Sequence, residues 1–445
     1  MALEGLRLEG LRGKRVLCAV SGGADSVALL RLLIEARDRG EITLFAAHFE
    51  HGIRAGASLE DMRFVKTLCA ELDVALLTGR ANVPAEAKKA HEGIESCARR
   101  LRHEFLEKAR VKLKCDCVAL AHHRQDRAET VLMHILRGSG LKGAAAMPYQ
   151  SAQLVRPLID VSPDEIRRYL SEIGQDWRED ETNGEADNPR NALRLKVFPL
   201  LKDIYPGFEA ALSRFAEISG EEDRLLEALT DEYMEGALSN YAGIWVLKKG
   251  ERALQRRCLK RLLPWADYAA AERALSAGKT CDIGEGFRAS GDGENVYLIP
   301  PFKKRPKSVK LRLSGETVLE GVCRVTAEDC PAVPVKNNGF TQVLNKAALK
   351  DARLRLRFES RFRFEAQKSF DYICPLGMGK KRKTLGDYLT DRHFAEPLRA
   401  RLPLIAAGRE ILWVPGVGIS EKAKIRKGDE AVRLTIEIAG GKYDD

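Results

Sequence analysis

The sequence lacks the features of a membrane-spanning or secreted chain. No apolar run approaches the roughly 18 residues that a membrane-spanning helix needs. The opening segment, MALEGLRLEGLRGKRVLCAV, carries two glutamates and no small-residue cleavage site, so we expect no secretory signal. The ten cysteines are scattered, and no two of them have the C-x-x-C spacing of zinc ribbons and iron–sulfur sites. These absences predict a soluble protein of the reducing cytoplasm.

The composition is that of a globular protein with several domains. The chain has 445 residues, of which 44% are hydrophobic and 31% charged, and this length exceeds that of one ordinary domain. It contains 74 Lys and Arg residues against 64 Asp and Glu residues, a formal net charge of +10. The composition excludes intrinsic disorder and collagen, and the positive charge favours a polyanionic partner.

The first 200 residues alternate strand and helix patterns. Strands are predicted at Arg15–Val20, Thr43–His48, Ala75–Gly79 and Cys117–Ala121. Helices are predicted between and after them, at Ala24–Arg37, Leu59–Leu72, Ile94–Ala109 and Asp126–Leu136. This repetition predicts an α/β fold with a doubly wound parallel sheet, covered by helices on both faces. Because ligands of such folds bind beyond the carboxyl ends of the strands, we expect the chemistry just after these strands.

The pattern changes in the second half of the chain. Longer helices begin at about Pro206, and a proline-rich basic stretch, IPPFKKRPKSVKLRL, predicts a linker or domain edge. Beyond Asp351 the apolar period becomes two, and a helical segment and the apolar string ILWVPGVGI follow. We therefore predict a catalytic domain at 1–205, a helical domain at 206–300, a basic connecting segment at 301–350 and a small α+β domain at 351–445.

The most informative string is VLCAVSGGADSVALLRLL, in which an apolar strand runs directly into a helix. The two glycines allow successive backbone N–H groups to point inward, and the helix N-terminus favours an anion. The string therefore predicts a cradle for a pyrophosphate group, formed by Ser21, Gly22, Gly23, Ala24, Asp25 and Ser26, with the serine hydroxyls as additional donors.

The loop carries one charged residue, Asp25, and its negative charge disfavours phosphate binding unless a cation is present. It has no lysine in the manner of the GxxxxGK(S/T) loop, and Asp25 would repel phosphate unless a divalent cation intervened. We therefore consider Asp25 a candidate Mg²⁺ ligand. The alternative is an ordinary glycine turn in which Asp25 or Ser26 caps the helix.

The SGGADS string resembles the pyrophosphate loop of the N-type ATP pyrophosphatases. Those enzymes share a doubly wound, Rossmann-like fold, adenylate a carbonyl-type oxygen and release diphosphate. Four further segments resemble, in order and spacing, motifs of the tRNA(Ile)-lysidine synthetase family; they are His48–Arg54, Gly93–Ala109, Ala121–Gly143 and Arg156–Leu201. The resemblance covers residues 15–215 closely and resumes at KKRKTLGDYLTDRHF in the C-terminal part.

The resemblance implies a specific ligase reaction. ATP adenylates the C2 carbonyl oxygen of the wobble cytidine in the CAU anticodon of tRNA(Ile). The ε-amine of L-lysine then displaces AMP, which gives lysidine and changes the anticodon specificity from methionine to isoleucine. The expected ligands are therefore ATP, Mg²⁺, lysine and this tRNA. No association with a membrane is expected. The resemblance is compatible with a homodimer.

The resemblance also points to residues near the fourth strand. His122 lies at the carboxyl end of that strand, and Asp126 and Glu129 share one face of the next helix. The carboxylate pair can hold the lysine ammonium group or Mg²⁺, and Arg102 can neutralise phosphate or the lysine carboxylate. We predict Asp25, His122 and Asp126 as catalytic residues, and Arg102, Asp126 and Glu129 as substrate-binding residues.

Each of these assignments has a structural alternative. A histidine after a strand is often an ordinary surface residue, and acids in the first turn of a helix are favoured by its dipole. Arg99 and Arg102 can form an exposed ion-pair stripe with Glu95. His48 and His51 can cap local turns.

Positive charge is concentrated in the later part of the chain. Residues 350–430 contain 19 Lys and Arg against 11 Asp and Glu, and Lys303–Arg312 contains six basic residues and no acid, which leaves the rest of the chain at −4. The alternating string RLRLRFESRFRF places Arg353, Arg355, Arg357, Arg361 and Arg363 on one side of a strand or hairpin.

A second basic cluster is expected to bind tRNA. It consists of Lys380, Lys381, Arg382 and Lys383, and it precedes Thr384, a predicted N-cap. Cations at the positive end of a helix are unfavourable, and an RNA phosphate would relieve them. The alternative for either basic cluster is a solvated charged face.

Other functions remain as alternatives. A tRNA thiolase of the same superfamily would need a sulfur-carrying cysteine or a cluster, and the lack of C-x-x-C disfavours it. An amidotransferase would need an N-terminal nucleophilic cysteine or a glutaminase domain. An RNA-binding protein with a degenerate nucleotide fold is disfavoured by the intact SGGADS string.

Overall fold

The computed structural model describes residues 3–52, 57–179, 189–302, 307–334, 340–351, 353–357, 371–379, 381–399 and 401–439. The chain divides into two compact units, Met1–Leu225 and Leu226–Asp445. Among the described residues, no helix is both long and apolar enough to cross a lipid bilayer.

A six-stranded sheet forms the centre of the first unit. Its strands are β1 (Arg15–Ala19), β2 (Thr43–Glu50), β3 (Leu76–Arg80), β4 (Cys117–Ala119), β5 (Gln150–Ser151) and β6 (Leu154–Val155). Their spatial order is β3-β2-β1-β4-β6-β5, with parallel pairing from β3 to β6 and an antiparallel edge strand β5. The four strands predicted from the sequence are confirmed.

Helices cover both faces of this sheet. They are α1 (Ala24–Asp38), α2 (Ala57–Glu71), α3 (Val83–Ala90), α4 (Ile94–Lys112), α5 (Arg124–Leu136), α6 (Leu141–Ala144), α7 (Pro163–Glu172), α8 (Pro189–Ala192) and α9 (Phe198–Ile204), with a π-helical turn at Leu193–Val197. Successive residues of β1 point to opposite faces, so that Val16 and Cys18 join the core formed with α1, while Leu17 joins Leu106 of α4. The predicted doubly wound sheet is confirmed.

The strand order places two segments at the same edge of this sheet. β1 and β4 are parallel neighbours, paired at Leu17 and Val118. The loop after β1 and the segment after β4 therefore begin side by side at the carboxyl ends of these strands. This is where α/β folds bind their ligands.

The second half begins with helices and an antiparallel sheet. The helices are α10 (Phe208–Ala237), α11 (Arg252–Leu262) and α12 (Tyr268–Ser276). The strands are β7 (Leu238–Tyr241), β8 (Ile244–Lys248), β9 (Cys281–Gly284), β10 (Phe287–Gly291) and β11 (Asn295–Ile299), in the order β7-β8-β11-β10-β9. The helices predicted for 206–300 are present, but that prediction missed the sheet because its strands are short and two of them meet at Gly284 and Gly286, whose φ angles are +112° and +73°.

The C-terminal part is α+β, and its strands begin before residue 351, within the stretch 301–350 that the sequence predicts as a connecting segment. Its strands are β12 (Val309–Lys310), β13 (Gly315–Leu319), β14 (Cys323–Cys330), β15 (Thr341–Asn345), β16 (Leu354–Arg357), β17 (Tyr372–Ile373), β18 (Lys383–Thr384), β19 (Leu404–Ala407), β20 (Glu410–Val414), β21 (Gly418–Ile419) and β22 (Ala431–Ile438). Short helices are α13 (Lys346–Leu349), α14 (Leu385–Asp391) and α15 (Glu396–Arg399). One sheet has the order β12-β16-β19-β20-β17-β18 with β21 beside β20, the other β13-β14-β22-β15, and Trp413 and Val432 share the core between their strands.

Candidate active site

The loop of residues 21–26 connects β1 to α1. The strand ends at Ala19 and the helix begins at Ala24. Gly22 has a φ of +102°, in the left-handed region that residues with a side chain avoid. The turn therefore requires glycine at this position, and it delivers the chain to a helix N-terminus whose first N–H groups have no partner within the helix.

Ser26 organises this loop from the inside. Its Oγ accepts hydrogen bonds from the backbone N–H groups of Ser21 and Gly22, at 3.1 Å each, and donates to the carbonyl of Gly23 at 2.9 Å. The sequence predicts the Ser26 hydroxyl as a phosphate donor, whereas the structure engages it within the loop. Ser21 is exposed, and its hydroxyl lies 3.0 Å from that of Ser26. Ser21 is therefore the loop hydroxyl that faces solvent.

Asp25 lies in the first turn of α1, and 43% of its side chain is exposed. Its Oδ2 lies 3.8 Å from Nε2 of His123. Burial raises the pKa of Asp25, His123 opposes this shift, and the carboxylate of Asp126 adds to it. An added cation would therefore stabilise the ionised form of Asp25.

His123 and Asp126 form a reciprocal cap at the start of α5. Nδ1 of His123 accepts a hydrogen bond from the N–H of Asp126 at 3.3 Å, and the N–H of His123 donates to Oδ2 of Asp126 at 3.1 Å. Because Nδ1 accepts, Nε2 carries the proton, and it lies 3.5 Å from Asp126 and 3.8 Å from Asp25. His123 thus links the loop after β1 to the carboxylates of α5. The sequence predicts the adjacent His122 as a catalytic residue, and the residue pattern alone does not show that His123 contacts the loop.

Two arginines complete this cluster. Nε of Arg190 donates to Glu129 at 2.6 Å, and Nε of Arg194 donates to the other oxygen of the same carboxylate at 2.6 Å. Both guanidinium groups also contact Asp126, at 2.9 and 3.4 Å. The Glu129 side chain has no exposed surface, whereas the two arginines are about one third exposed. Glu129 therefore orients the arginine pair, and Asp126 is the carboxylate nearer to solvent.

Arg190 and Arg194 are functional candidates that were not predicted from the sequence. They lie in α8 and the π-helical turn, more than 60 positions beyond Glu129 along the chain. The i, i+4 spacing in PRNALR is the signal that places both side chains on one helical face, but it does not reveal the partner.

His122 and Arg102 lie close enough for the charge of Arg102 to act on the imidazole. Burial lowers the pKa of His122 to about 4, although Asp126 acts in the opposite direction. Burial also lowers the pKa of Arg102, with a contribution from Arg99. Within the described part of the chain, the arginine of α4 that pairs with carboxylates is Arg100, with Glu92 and Glu104, and the predicted alternative of a pair between Arg102 and Glu95 is not formed. Arg102 therefore remains available for an anion.

The two histidines of β2 and its following turn are held by the fold. Nδ1 of His48 donates to the carbonyl of Val20 at 2.8 Å, directly before the loop, and burial lowers the pKa of this histidine. Burial lowers the pKa of His51 to about 4, and Arg102 acts in the same direction. Both imidazoles are therefore neutral near pH 7, and His48 supports the start of the phosphate loop.

Comparison with known proteins assigns the family. Residues 5–201 match the PP-loop domain, and residues 361–436 match the TilS substrate C-terminal domain. The tRNA(Ile)-lysidine synthase of Caldanaerobacter subterraneus subsp. tengcongensis is 30% identical over 446 residues, which cover 95% of this chain and 93% of that protein. The chain belongs to the tRNA(Ile)-lysidine synthase family.

The chain is also similar to a second curated relative and to one solved structure. The tRNA(Ile)-lysidine synthase of Dehalococcoides mccartyi is 29% identical over 462 residues, which cover 96% of this chain and 95% of that protein. Among solved structures, the U34-tRNA thiolase NcsA from Methanococcus maripaludis with its 4Fe-4S cluster shares 20% identity at a TM-score of 0.43, covering 49% of this chain and 76% of that chain. The family assignment therefore favours the lysidine reaction over the thiolase alternative.

The basic cluster in the family's C-terminal domain is only partly exposed. Lys381 and Arg382 are exposed, and the guanidinium of Arg382 lies 4.4 Å from the ring centroid of Tyr372. Lys383 forms an ion pair with Asp391. Thr384 caps α14 as predicted, by accepting a hydrogen bond from the N–H of the residue three positions later. Lys380 lies outside the described residues.

The alternating arginine string is not one open basic face. Arg353 is exposed but paired with Asp351 at 3.0 Å. Arg357 is largely buried against Asp371 at 2.6 Å. The side-chain alternation of β16 is present, but Asp351 and Asp371 neutralise Arg353 and Arg357 locally, while Arg355 donates to the carbonyl of Leu354 at 3.1 Å. Arg361 and Arg363 lie outside the described residues.

Proposed function

We propose that this protein ligates L-lysine to C2 of the wobble cytidine in the CAU anticodon of tRNA(Ile), with ATP as the activating substrate. Membership of the tRNA(Ile)-lysidine synthase family supports the reaction, and the PP-loop domain supports the use of ATP. The observation that carries the proposal is the junction at His123. There the phosphate loop, through Asp25, meets the carboxylate and arginine cluster of α5.

The reaction has two displacements. The C2 carbonyl oxygen of the cytidine attacks the α-phosphorus of ATP, the bond to the bridging oxygen breaks, and diphosphate leaves. The neutral ε-amine of lysine then attacks C2, the C2–O bond breaks, AMP leaves, and the amine gives up a proton. Both steps develop negative charge on phosphate oxygens, which nearby cations and N–H groups stabilise.

The first unit offers groups for these charges. The N-terminus of α1 and the loop around Ser21 and Gly23 would hold the diphosphate portion of ATP. Arg190 and Arg194, fixed by Glu129, would face the charge that develops during transfer. Burial and the neighbouring Arg99 lower the pKa of Arg102, and a phosphate or the lysine carboxylate bound there would offset both effects.

Asp126 and His122 would act on the lysine amine. Asp126 retains exposed surface, so it can hold the ammonium group, while buried Glu129 cannot. His122 is neutral near pH 7 because burial lowers its pKa to about 4, so it can accept a hydrogen bond from the amine. The predicted lysine-binding role of Glu129 thus becomes a positioning role.

Asp25 fits a magnesium ion. Its carboxylate is partly exposed, and its pKa is raised, so a cation would favour its charged form. In the described part of the chain, no three His, Cys, Asp or Glu side chains gather as a metal site. This fits Mg²⁺, which proteins commonly hold through one or two carboxylates together with substrate phosphates and water. When bound, the ion would neutralise phosphate charge.

We further propose that the C-terminal domain contacts the tRNA backbone. Lys381 and Arg382 are exposed cations beside the start of α14. The proposed division of the chain at 205, 300 and 350 would assign adenylation to the first domain and RNA binding to the later ones.

One assay tests the proposed function. The purified protein is incubated with ATP, Mg²⁺, radiolabelled lysine and an unmodified CAU-anticodon tRNA(Ile). We expect label in this RNA and none in tRNA(Met), which also carries a CAU anticodon. No label in tRNA(Ile), or equal label in both RNAs, would overturn the proposal. A parallel incubation with a sulfur donor would detect the thiolase reaction instead.

A further inference from the structure

A short segment after α7 crosses the phosphate loop. The helix ends at Glu172, and the backbone N–H of Arg178 donates to the carbonyl of Gly22 at 2.9 Å. A Cβ atom added at Gly22 would lie 3.8 Å from Cγ of Arg178, and one at Gly23 would lie 3.9 Å from the Arg178 carbonyl oxygen. The preceding Trp177 packs against the core of the first unit. The Arg178 side chain therefore starts directly beside the loop.

The guanidinium of Arg178 is held by two carboxylates of α2. Its Nε donates to Oδ1 of Asp61 at 3.1 Å, and its Nη2 donates to Oε2 of Glu60 at 3.0 Å. The exposed fractions of the side chains are 42% for Arg178, 62% for Glu60 and 28% for Asp61. Ion pairs in such exposed settings are weak, so another anion can displace either carboxylate.

The loop itself lacks a cation. SGGADS contains no lysine or arginine, and its one charged residue, Asp25, is acidic. A guanidinium matches phosphate oxygens with two parallel hydrogen bonds. Since the backbone of Arg178 is tied to Gly22, a change of side-chain rotamer would suffice to exchange α2 carboxylates for a phosphate.

We propose that Arg178 is a phosphate-binding residue of the ATP site, and that Glu60 and Asp61 hold its side chain when no nucleotide is bound. This inference rests on the proposed use of ATP at the loop. In this proposal, Glu60 and Asp61 compete with the phosphates of ATP for the guanidinium of Arg178. A purely structural role, in which Arg178 anchors α2, makes the opposite prediction for removing them.

The test compares Arg178→Ala with the double variant Glu60→Gln/Asp61→Asn. ATP affinity is measured on the full-length protein by calorimetry with Mg²⁺ and without tRNA or lysine, and Tm is recorded for each variant. We expect Arg178→Ala to weaken ATP binding about tenfold, the size of a lost charged hydrogen bond. The double variant should bind ATP more tightly than the wild type. Arg178→Lys should recover part of the affinity as a point charge.

Two controls separate the proposal from its alternatives. The triple variant Glu60→Gln/Asp61→Asn/Arg178→Ala should bind ATP as weakly as Arg178→Ala. A gain that persists in the triple variant would indicate general electrostatics and overturn the proposal. Adenosine, which lacks phosphates, should bind all variants equally.

Several outcomes would overturn the assignment. Unchanged ATP affinity in Arg178→Ala would do so, as would a double variant that loses affinity and Tm together with Arg178→Ala, as a structural anchor predicts. A wild-type protein that binds no ATP would overturn the proposed function and this inference together. If the wild type binds ATP and Arg178→Ala binds it with the same affinity, only the inference about Arg178 is overturned.

Discussion

Charged side chains are arranged differently at the PP-loop site and in the basic C-terminal segment. At the PP-loop site, Asp25, His123, Asp126, Arg190 and Arg194 come from separate elements and share partners around the buried Glu129. In the described part of the C-terminal segment, residues 350–430, pairs such as Lys383 with Asp391 and Arg353 with Asp351 are short-range in sequence and at least partly exposed, although Arg357 is largely buried against Asp371. The first arrangement holds its charged groups in fixed positions, as the proposed reaction requires, whereas the second leaves exposed cations that the proposed RNA partner could contact.

The largest expected effect is the loss of catalysis when the loop carboxylate is neutralised. Asp25→Asn should reduce lysine incorporation by roughly a hundredfold or more, the scale of losing one electrostatic group at a reacting centre. The matched control is Asp38→Asn on the same helix, whose exposed carboxylate pairs with Arg37 away from the loop. Full activity in Asp25→Asn would contradict the assigned role.

The second prediction concerns stability and compares the two kinds of ion pair. Glu129→Gln removes the charge from a fully buried carboxylate that binds two guanidinium groups, and should lower the free energy of unfolding by roughly 2–4 kcal/mol. Asp391→Asn, at an exposed pair in the second unit, should cost less than about 1 kcal/mol. Urea unfolding measures both values, and equal losses would contradict a difference in strength between the buried and the exposed ion pair.

A third prediction tests the charged surface. Replacing Lys380–Lys383 with alanine should weaken tRNA binding about tenfold and make the dependence of Kd on salt shallower, because fewer counterions are released. Removing four exposed lysines of the first unit, Lys89, Lys108, Lys112 and Lys114, serves as the control of equal charge. An unchanged Kd across a salt series in the first variant would refute the assignment.

The smallest effect is a dependence of stability on pH. Burial lowers the pKa of His122 from 6.5 to about 4, so the unfolded chain binds a proton that the folded chain does not. Stability should therefore fall as the pH drops below 6.5, by roughly 1 kcal/mol between pH 6.5 and 5.5. Unfolding free energies of the wild type and His122→Asn across this interval check the sign. A wild type that gains stability on acidification, or the same slope in both proteins, would count against it.

Much of the fold was predictable because its signals are local. The strands, the helices between them and the SGGADS loop are each indicated by a short run of consecutive residues. The sheet of β7–β11 was missed because strands of four or five residues around glycines carry little periodic signal.

The sequence predicted those site residues that lie within a single short motif, and it did not predict the others. Asp25, Asp126 and Glu129 stood out, but the arginines that bind Glu129 lie more than 60 positions away, and only tertiary packing brings them together. The hydroxyl of Ser26 was assigned to phosphate because the pattern does not show which loop groups bind one another.

The adenylation of the tRNA and its reaction with lysine can be measured separately. ATP labelled in the α-phosphate is incubated with the protein, Mg²⁺ and unmodified tRNA(Ile), without lysine. We expect label to accumulate on the tRNA as the adenylated intermediate, and to leave as AMP when unlabelled lysine is added. RNA that acquires no label, or label that lysine does not release, would contradict the account.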